Sequence, residues 1–229
     1  MCIRVRFAIA LAVQIIAIEL AGVAAAAYEL PGVQLGMTLA DFRKVAFPEA
    51  KGTSVVCDGD ATVRDLRPSP ELVATGEEAS AGVQGCGFYR YGRILGSLPP
   101  EWIVTPLRFG AISAAATFWF IASRGEATAN AEAGGGHSRL FRITLRANVT
   151  GWDGVWREAT GRYGAPTFTS REPYAVTLRR SIDNLVATWD DGASTVIVSK
   201  REHRASRSTV RFLHKELNWM VQGRIAAQQ

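Results

Sequence analysis

The sequence predicts an α+β protein: two tandem repeats of a helix followed by antiparallel β-strands, behind an N-terminal signal peptide. Three observations carry this. The stretches "GVQLGMTLADFRKVAFPEA" (32–50) and "NVTGWDGVWREATGRYGAPTF" (148–168) both place a threonine three residues before an aspartate, then apolar residues at helical spacing, then a proline. Each stretch is followed by runs rich in β-branched and aromatic residues, broken by turn signals. Helices and strands that stay segregated along the chain argue for an antiparallel α+β sheet rather than parallel βαβ units.

Residues 1–27 read as a secretory signal peptide. Arg4 and Arg6 precede an apolar core, "FAIALAVQIIAI", and Ala25 and Ala27 supply the small residues of an A-x-A cleavage site, leaving Tyr28 as the new N-terminus. The competing reading is an uncleaved membrane anchor. Gln14 and Glu19 count against it, because an acidic side chain at the centre of a bilayer-spanning helix costs roughly 2.5–3.5 kcal/mol. No cysteine stands at the cleavage point to accept lipid, and Cys2 leaves with the signal. Export places the protein in the periplasm of a double-membraned bacterium. Later in the chain, "FGAISAAATFWFIAS" (109–123) comes closest to a membrane span, but it is short and flanked by Arg108 and Arg124, which suits a buried strand or hairpin. The net charge of +5 fits a neighbourhood of anionic lipid or polymer and is too weak to indicate nucleic acid.

The first repeat spans 28–125. Thr38 caps its helix, Asp41 complements the positive helix end, and Leu39, Phe42 and Val45 with Ala46 form the apolar face. Phe47-Pro48 ends it, since a residue before proline avoids the α region. The runs "TSVVCD", "VQGCGFYRYG", "EWIVTPLRF" and "AATFWFIAS" then read as strands. A Gly/Ala-rich connector covers 126–138. The second repeat, 139–229, opens with the strand-like "RLFRITLRANV". Its helix is capped by Thr150 with Asp153, packs through Trp152, Val155, Trp156 and Ala159, and stops at Gly164 before Pro166. "PYAVTLRRS", "LVATWD", "STVIVSK" and "STVRFLH" follow as strands, with Asp191-Gly192 as a tight-hairpin signal. "KELNWMVQGRIAAQQ" adds a short C-terminal helix through Leu217, Met220 and Val221.

After export two cysteines remain, Cys57 and Cys86. In an oxidising compartment an even pair is most simply a disulfide. It would close a loop of about 30 residues, worth roughly 3–4 kcal/mol in the chain-entropy view. Metal binding is the alternative; it needs further ligands, and no Cys-x-x-Cys or histidine pair stands nearby.

Taken together, "GVQLGMTLADFRKVAFP", the cysteine-bearing strand region, the helix end "RYGAP" and "WDDGASTVIVS" resemble small exported bacterial proteins of the tandem helix-plus-sheet type. The outer-membrane assembly lipoprotein BamE and the beta-lactamase inhibitor protein represent that type. The resemblance implies a binding or scaffolding module that holds another protein by a sheet face or a loop. This chain departs from it in lacking a lipid-acceptor cysteine and in keeping its cysteines to the first half.

Chemical motifs are sparse. His137, His203 and His214 read as surface residues, and neither a G-x-S-x-G elbow nor an H-E-x-x-H pair occurs. "CDGDATVRD" (57–65) groups Asp58, Asp60 and Asp65, but Val63 and Ser69 occupy the places where a calcium loop needs glycine and glutamate, so it reads as a turn. "AGGGHS" lacks the Lys-Ser/Thr of a phosphate loop. "SKREHRASRSTVR" (199–211) holds Lys200, Arg201, Arg204 and Arg207, either a solvated hairpin loop or a contact for an anionic surface. No catalytic residue, metal ligand or cofactor site is assigned. The expected role is therefore a non-enzymatic module of the cell envelope with another envelope protein as partner. An envelope hydrolase built from unlinked residues and a binder of anionic lipid or cell wall stand as alternatives.

Overall fold

A computed structural model describes residues 30–47, 50–60, 72–92, 101–122, 137–177, 180–202 and 206–229. The expected signal peptide, most of the connector, His203 and Arg204 lie outside these residues. The strands are β1 (Ser54–Cys57), β2 (Val83–Gly92), β3 (Glu101–Val104), β4 (Leu107–Phe109), β5 (Ile112–Ile121), β6 (Arg139–Asn148), β7 (Phe168–Thr177), β8 (Arg180–Asp190), β9 (Ser194–Ser199) and β10 (Arg207–His214). They form one 10-stranded antiparallel sheet ordered β1-β2-β5-β6-β10-β9-β8-β7, with β3 beside β2 and β4 beside β5. The helices are α1 (Leu39–Phe42), α2 (Gly76–Ser80), α3 (Trp152–Tyr163) and α4 (Lys215–Ala226). The fold class is α+β as expected, a large antiparallel sheet with a few helices.

Local chemistry explains most element ends. The Thr38 hydroxyl accepts from the Asp41 amide at 3.1 Å and donates to the Asp41 carboxylate at 2.8 Å, closing the predicted cap. The helix behind it is shorter than the apolar spacing predicts, four residues, with Leu39 and Phe42 buried. The second cap sits elsewhere than expected. Thr150 makes no cap bond to α3; instead the Asn148 side chain accepts from the Thr150 amide at 3.0 Å, and a 3-10 turn over Val149–Gly151 leads into α3. Asparagine at the end of a strand can bond two residues ahead, which favours the turn over an immediate helix. Gly164, at φ 74°, ends α3 as predicted. Asp191 accepts from the amides of Ala193 and Ser194, and Gly192 takes φ 91°, which makes the tight β8–β9 turn.

The expected disulfide is present: Cys57 and Cys86 are directly opposed on β1 and β2 and bonded to each other. The sheet continues across the connector, because β5 and β6 pair from Ala115–Arg146 to Ile121–Arg139. Among the described residues the two halves differ in element order: α1 precedes the strands of the first, whereas β6 precedes α3 in the second.

One sheet face, here the inner face, carries the main core. Phe42 of α1 meets Phe88, Phe118 and Phe120 at ring separations of 5.4, 4.5 and 5.2 Å. In the second half, α3 packs Trp156 and Tyr163 against Trp189 at 6.1 and 6.2 Å. The phenylalanines and Trp189 belong to a single buried cluster that includes Leu140, Ile143, Val196, Val198, Val210 and Phe212, with Trp156 and Tyr163 packed against it. On the outer face, α4 covers Val83, Trp119, Ile121 and Phe141 through Val221, Leu217, Met220 and Ile225.

Candidate protein-binding face

The outer face has two unlike parts. Over β2, β5 and β6 it is closed by α2 and α4. There the Arg142 guanidinium pairs with Glu78 of α2 at 2.8 Å and lies 4.5 Å from the centre of the Trp119 ring. Trp119 Nε1 donates to Thr144 Oγ1 at 3.2 Å, and Arg146 donates to Thr117 Oγ1 at 3.0 Å. These contacts tie the sheet to itself and to α2, so this part is structural.

The part over β7–β10 is different. Val196, Val198, Val210, Phe212, Ala187 and Trp189 point into the core. Strand alternation therefore sends Ile197, Thr209, Arg211, Val186 and Thr188 outward. Register places Phe168 beside Thr188, Thr188 beside Ile197, and Ile197 beside Arg211, a row across four strands. Phe168 is 62% exposed. Val186, Ile182, Tyr174 and Ile197 are half-buried and belong to none of the three buried clusters. Among the described residues, none of the hydrophobic side chains of α2 or α4 joins a cluster with this patch. Glu172, exposed on β7, accepts from Ser170 at 3.0 Å. On the far side Arg211 pairs with Glu202 at 3.5 Å, and the Thr209 hydroxyl donates to Glu202. The result is a half-buried apolar centre with charged flanks and with Ser199, Thr209 and Asn184 buried beside it, a composition that suits contact with protein more than a solvated sheet.

The basic run expected to touch an anionic surface is divided. Lys200 lies 5.9 Å from the Trp152 ring, toward α3. The Arg201 amide donates to the Asn184 side chain at 2.7 Å. Arg207 falls on the outer face with Thr209 and Arg211, opposite Asn148 of β6. Arg204 lies outside the described residues. Lys200 and Arg207 thus stand on different faces of the sheet. Among the histidines, His214 caps α4 through Nδ1, which accepts from the Leu217 amide at 3.5 Å, and His137 is exposed before β6. Among the described residues no group of three or more metal-ligating side chains occurs. Asp60, in the loop weighed for calcium, accepts from the Cys57 amide at 2.9 Å and from Arg43 at 3.2 Å, as a turn residue does.

A cleft at the opposite edge of the sheet is lined by Arg43, Phe47, Lys51, Ser54, Val55 and Phe88. Its described lining offers cations and hydroxyls but neither a carboxylate nor an imidazole, and Pro48 and Glu49 beside it lie outside the described residues.

The strand-by-strand alternation "TVIVS" signals β9, but it puts apolar residues on both faces. That doubling, Ile197 outward against Val196 and Val198 inward, is the sequence signal that marks the patch. No protein-family model matches the chain, and no curated protein or solved structure matches it.

Proposed function

We propose that this is an exported, periplasmic protein of the cell envelope that works without catalysis, as a binding or scaffolding module for another envelope protein. The observation that carries the proposal is the patch of Phe168, Val186 and Ile197 on the outer face of β7–β10, an apolar centre outside the buried clusters and flanked by charge. Burying such a patch on association gains roughly 25 cal/mol per Å² of apolar surface, which a lone surface hydrophobe does not offer. The Cys57–Cys86 disulfide supports passage through an oxidising compartment. Among the described residues no helix is long and apolar enough to cross a membrane.

Site-specific photo-crosslinking in the native envelope tests this. A crosslinker in place of Ile197 or Phe168 is expected to capture a defined envelope protein, whereas one at exposed Lys51, at the other end of the sheet, is not. Equal capture from all three positions, or none from any, rejects the proposal. The anionic-surface alternative has weaker support, because Lys200 and Arg207 stand on different faces. It predicts salt-sensitive binding to anionic vesicles that charge reversal at Arg207 abolishes.

A further inference from the structure

We infer that the partner seated on the outer face of β7–β10 is a second copy of this chain, packed face to face about a two-fold axis running along the strands. This rests on the proposal that the same face is a protein-binding surface, and it names the occupant.

Three observations lead there. The first is charge placement. Glu172 lies on β7, at one side of the face, and Arg207 on β10, at the other. They also sit at the same level along the strands. Glu172 is two residues beyond Ser170, which shares a row with Val186, Ser199 and Thr209; Arg207 is two residues beyond Thr209 on that side. A two-fold axis along the strands keeps the level and exchanges the sides. It sets β7 over the partner's β10 and β8 over the partner's β9, so Glu172 of each copy faces a guanidinium of the other, twice. Arg207 has contacts within its own chain as well; it is its charge that faces the other copy. The second is the apolar row. The same operation brings Phe168 over Arg211, a cation–π geometry, and Thr188 over Ile197, with Val186 alongside. A self-complementary surface of this kind is what an isologous dimer requires.

The third is area. Four strands about 4.8 Å apart, overlapping for about six residues, the length of β9, at about 3.3 Å each, present about 380 Å². Two such faces bury about 750 Å² in total, the size of a weak, transient contact. The dimer is therefore concentration-dependent. Aligned sheets pack this way about 10 Å apart.

Sedimentation equilibrium of the purified exported protein tests the inference. A monomer–dimer equilibrium is expected. Ile197→Asp should weaken it at least about tenfold. Glu172→Arg and Arg207→Glu should each weaken it, and the double variant Glu172→Arg/Arg207→Glu should restore it, since the exchanged charges face one another again. Circular dichroism of each variant checks the fold; Glu172 is exposed, so its change leaves packing intact. A protein that stays monomeric to about 1 mM, or a dimer indifferent to all three single changes, overturns the inference. The two proposals then separate cleanly. A monomer whose crosslinks from Ile197 to an envelope protein persist keeps the binding role and removes the self-partner. A monomer without such crosslinks removes both.

Discussion

Gly85 on β2 has no room for a side chain. A Cβ there would stand 2.2 Å from the Leu72 carbonyl oxygen and 3.1 Å from the Trp119 ring. Backbone does not yield as a side-chain tip does, so Gly85→Ala should lower stability by about 1–3 kcal/mol, read as a lower denaturation midpoint. Gly161 is the contrast, since it lies inside α3 and a Cβ there meets nothing within 4 Å. Gly161→Ala should raise stability by up to about 1 kcal/mol; a loss at both positions would show that packing is not the deciding factor. Asp190 gives a pH dependence. The hydrogen bond from Lys215, at 2.5 Å, holds its carboxyl below the ordinary 3.8, helped by the Gly192 amide. A carboxyl depressed in the folded state stabilises that state above the ordinary carboxylate range, and the gain is lost as pH falls through it. Both side chains are more than a third exposed, so the effect is small and salt-screened. Amide protection in the first turn of α4 should fall below about pH 4, and Asp190→Asn should flatten that dependence. Protection that holds steady through this range in the parent protein would exclude the pair as an anchor for α4.

The edge strand β7 shows how an element is guarded. The Leu185 carbonyl accepts from the Lys200 amide at 2.9 Å, so Leu185 faces β9. Its register partner Arg171 therefore faces away from β8, and alternation sends Pro173 the same way. Pro173 removes the outward N–H near the middle of a ten-residue edge, where another strand would otherwise add. At the other end of the sheet, the Cys57 amide and carbonyl are both bonded to Asp60, and the Thr53 amide to Ala50. Pro173→Val should restore the missing donor and produce open-ended oligomers larger than a dimer, seen by sedimentation. A size distribution identical to the parent's would mean that Pro173 is not the guard. Proline is also why β7 is hard to read from the sequence. The strand prediction begins at Pro173, but pairing runs back to Phe168, because a residue whose N–H faces solvent loses nothing to proline.

At the scale of the whole molecule, one sheet and one main core join both halves. Phe42 and Phe118 of the first half and Trp189 and Phe212 of the second lie in the same buried cluster, and β5 pairs with β6 across the connector. Unfolding should therefore be a single cooperative transition, with coincident curves from tryptophan fluorescence and circular dichroism; two separated transitions would show that the halves unfold independently. The disulfide spans 29 residues, so the double variant Cys57→Ser/Cys86→Ser should lose about 3–4 kcal/mol without changing the transition's cooperativity. An undiminished midpoint would mean that the unfolded chain is already restricted in that loop.

What the sequence determined by itself is local. The Thr38–Asp41 cap, the Gly164 stop, the Asp191-Gly192 turn, the C-terminal helix and the bounds of β2, β6, β9 and β10 depend on residues a few positions apart, where capping bonds and period-2 spacing act directly. The cysteine pair was legible because only two cysteines stand outside the stretch read as a signal. Tertiary structure alone decided which face of each strand is covered. "STVIVS" is apolar on both sides, and alternation cannot say which side a helix will close. It also decided that the basic run 199–211 is divided between the faces, since Lys200 turns toward Trp152 while Arg207 joins the opposite face. The candidate surface exists only through register: Phe168, Thr188, Ile197 and Arg211 are spread over 44 positions of the sequence and meet because three hydrogen-bonded pairings set them side by side.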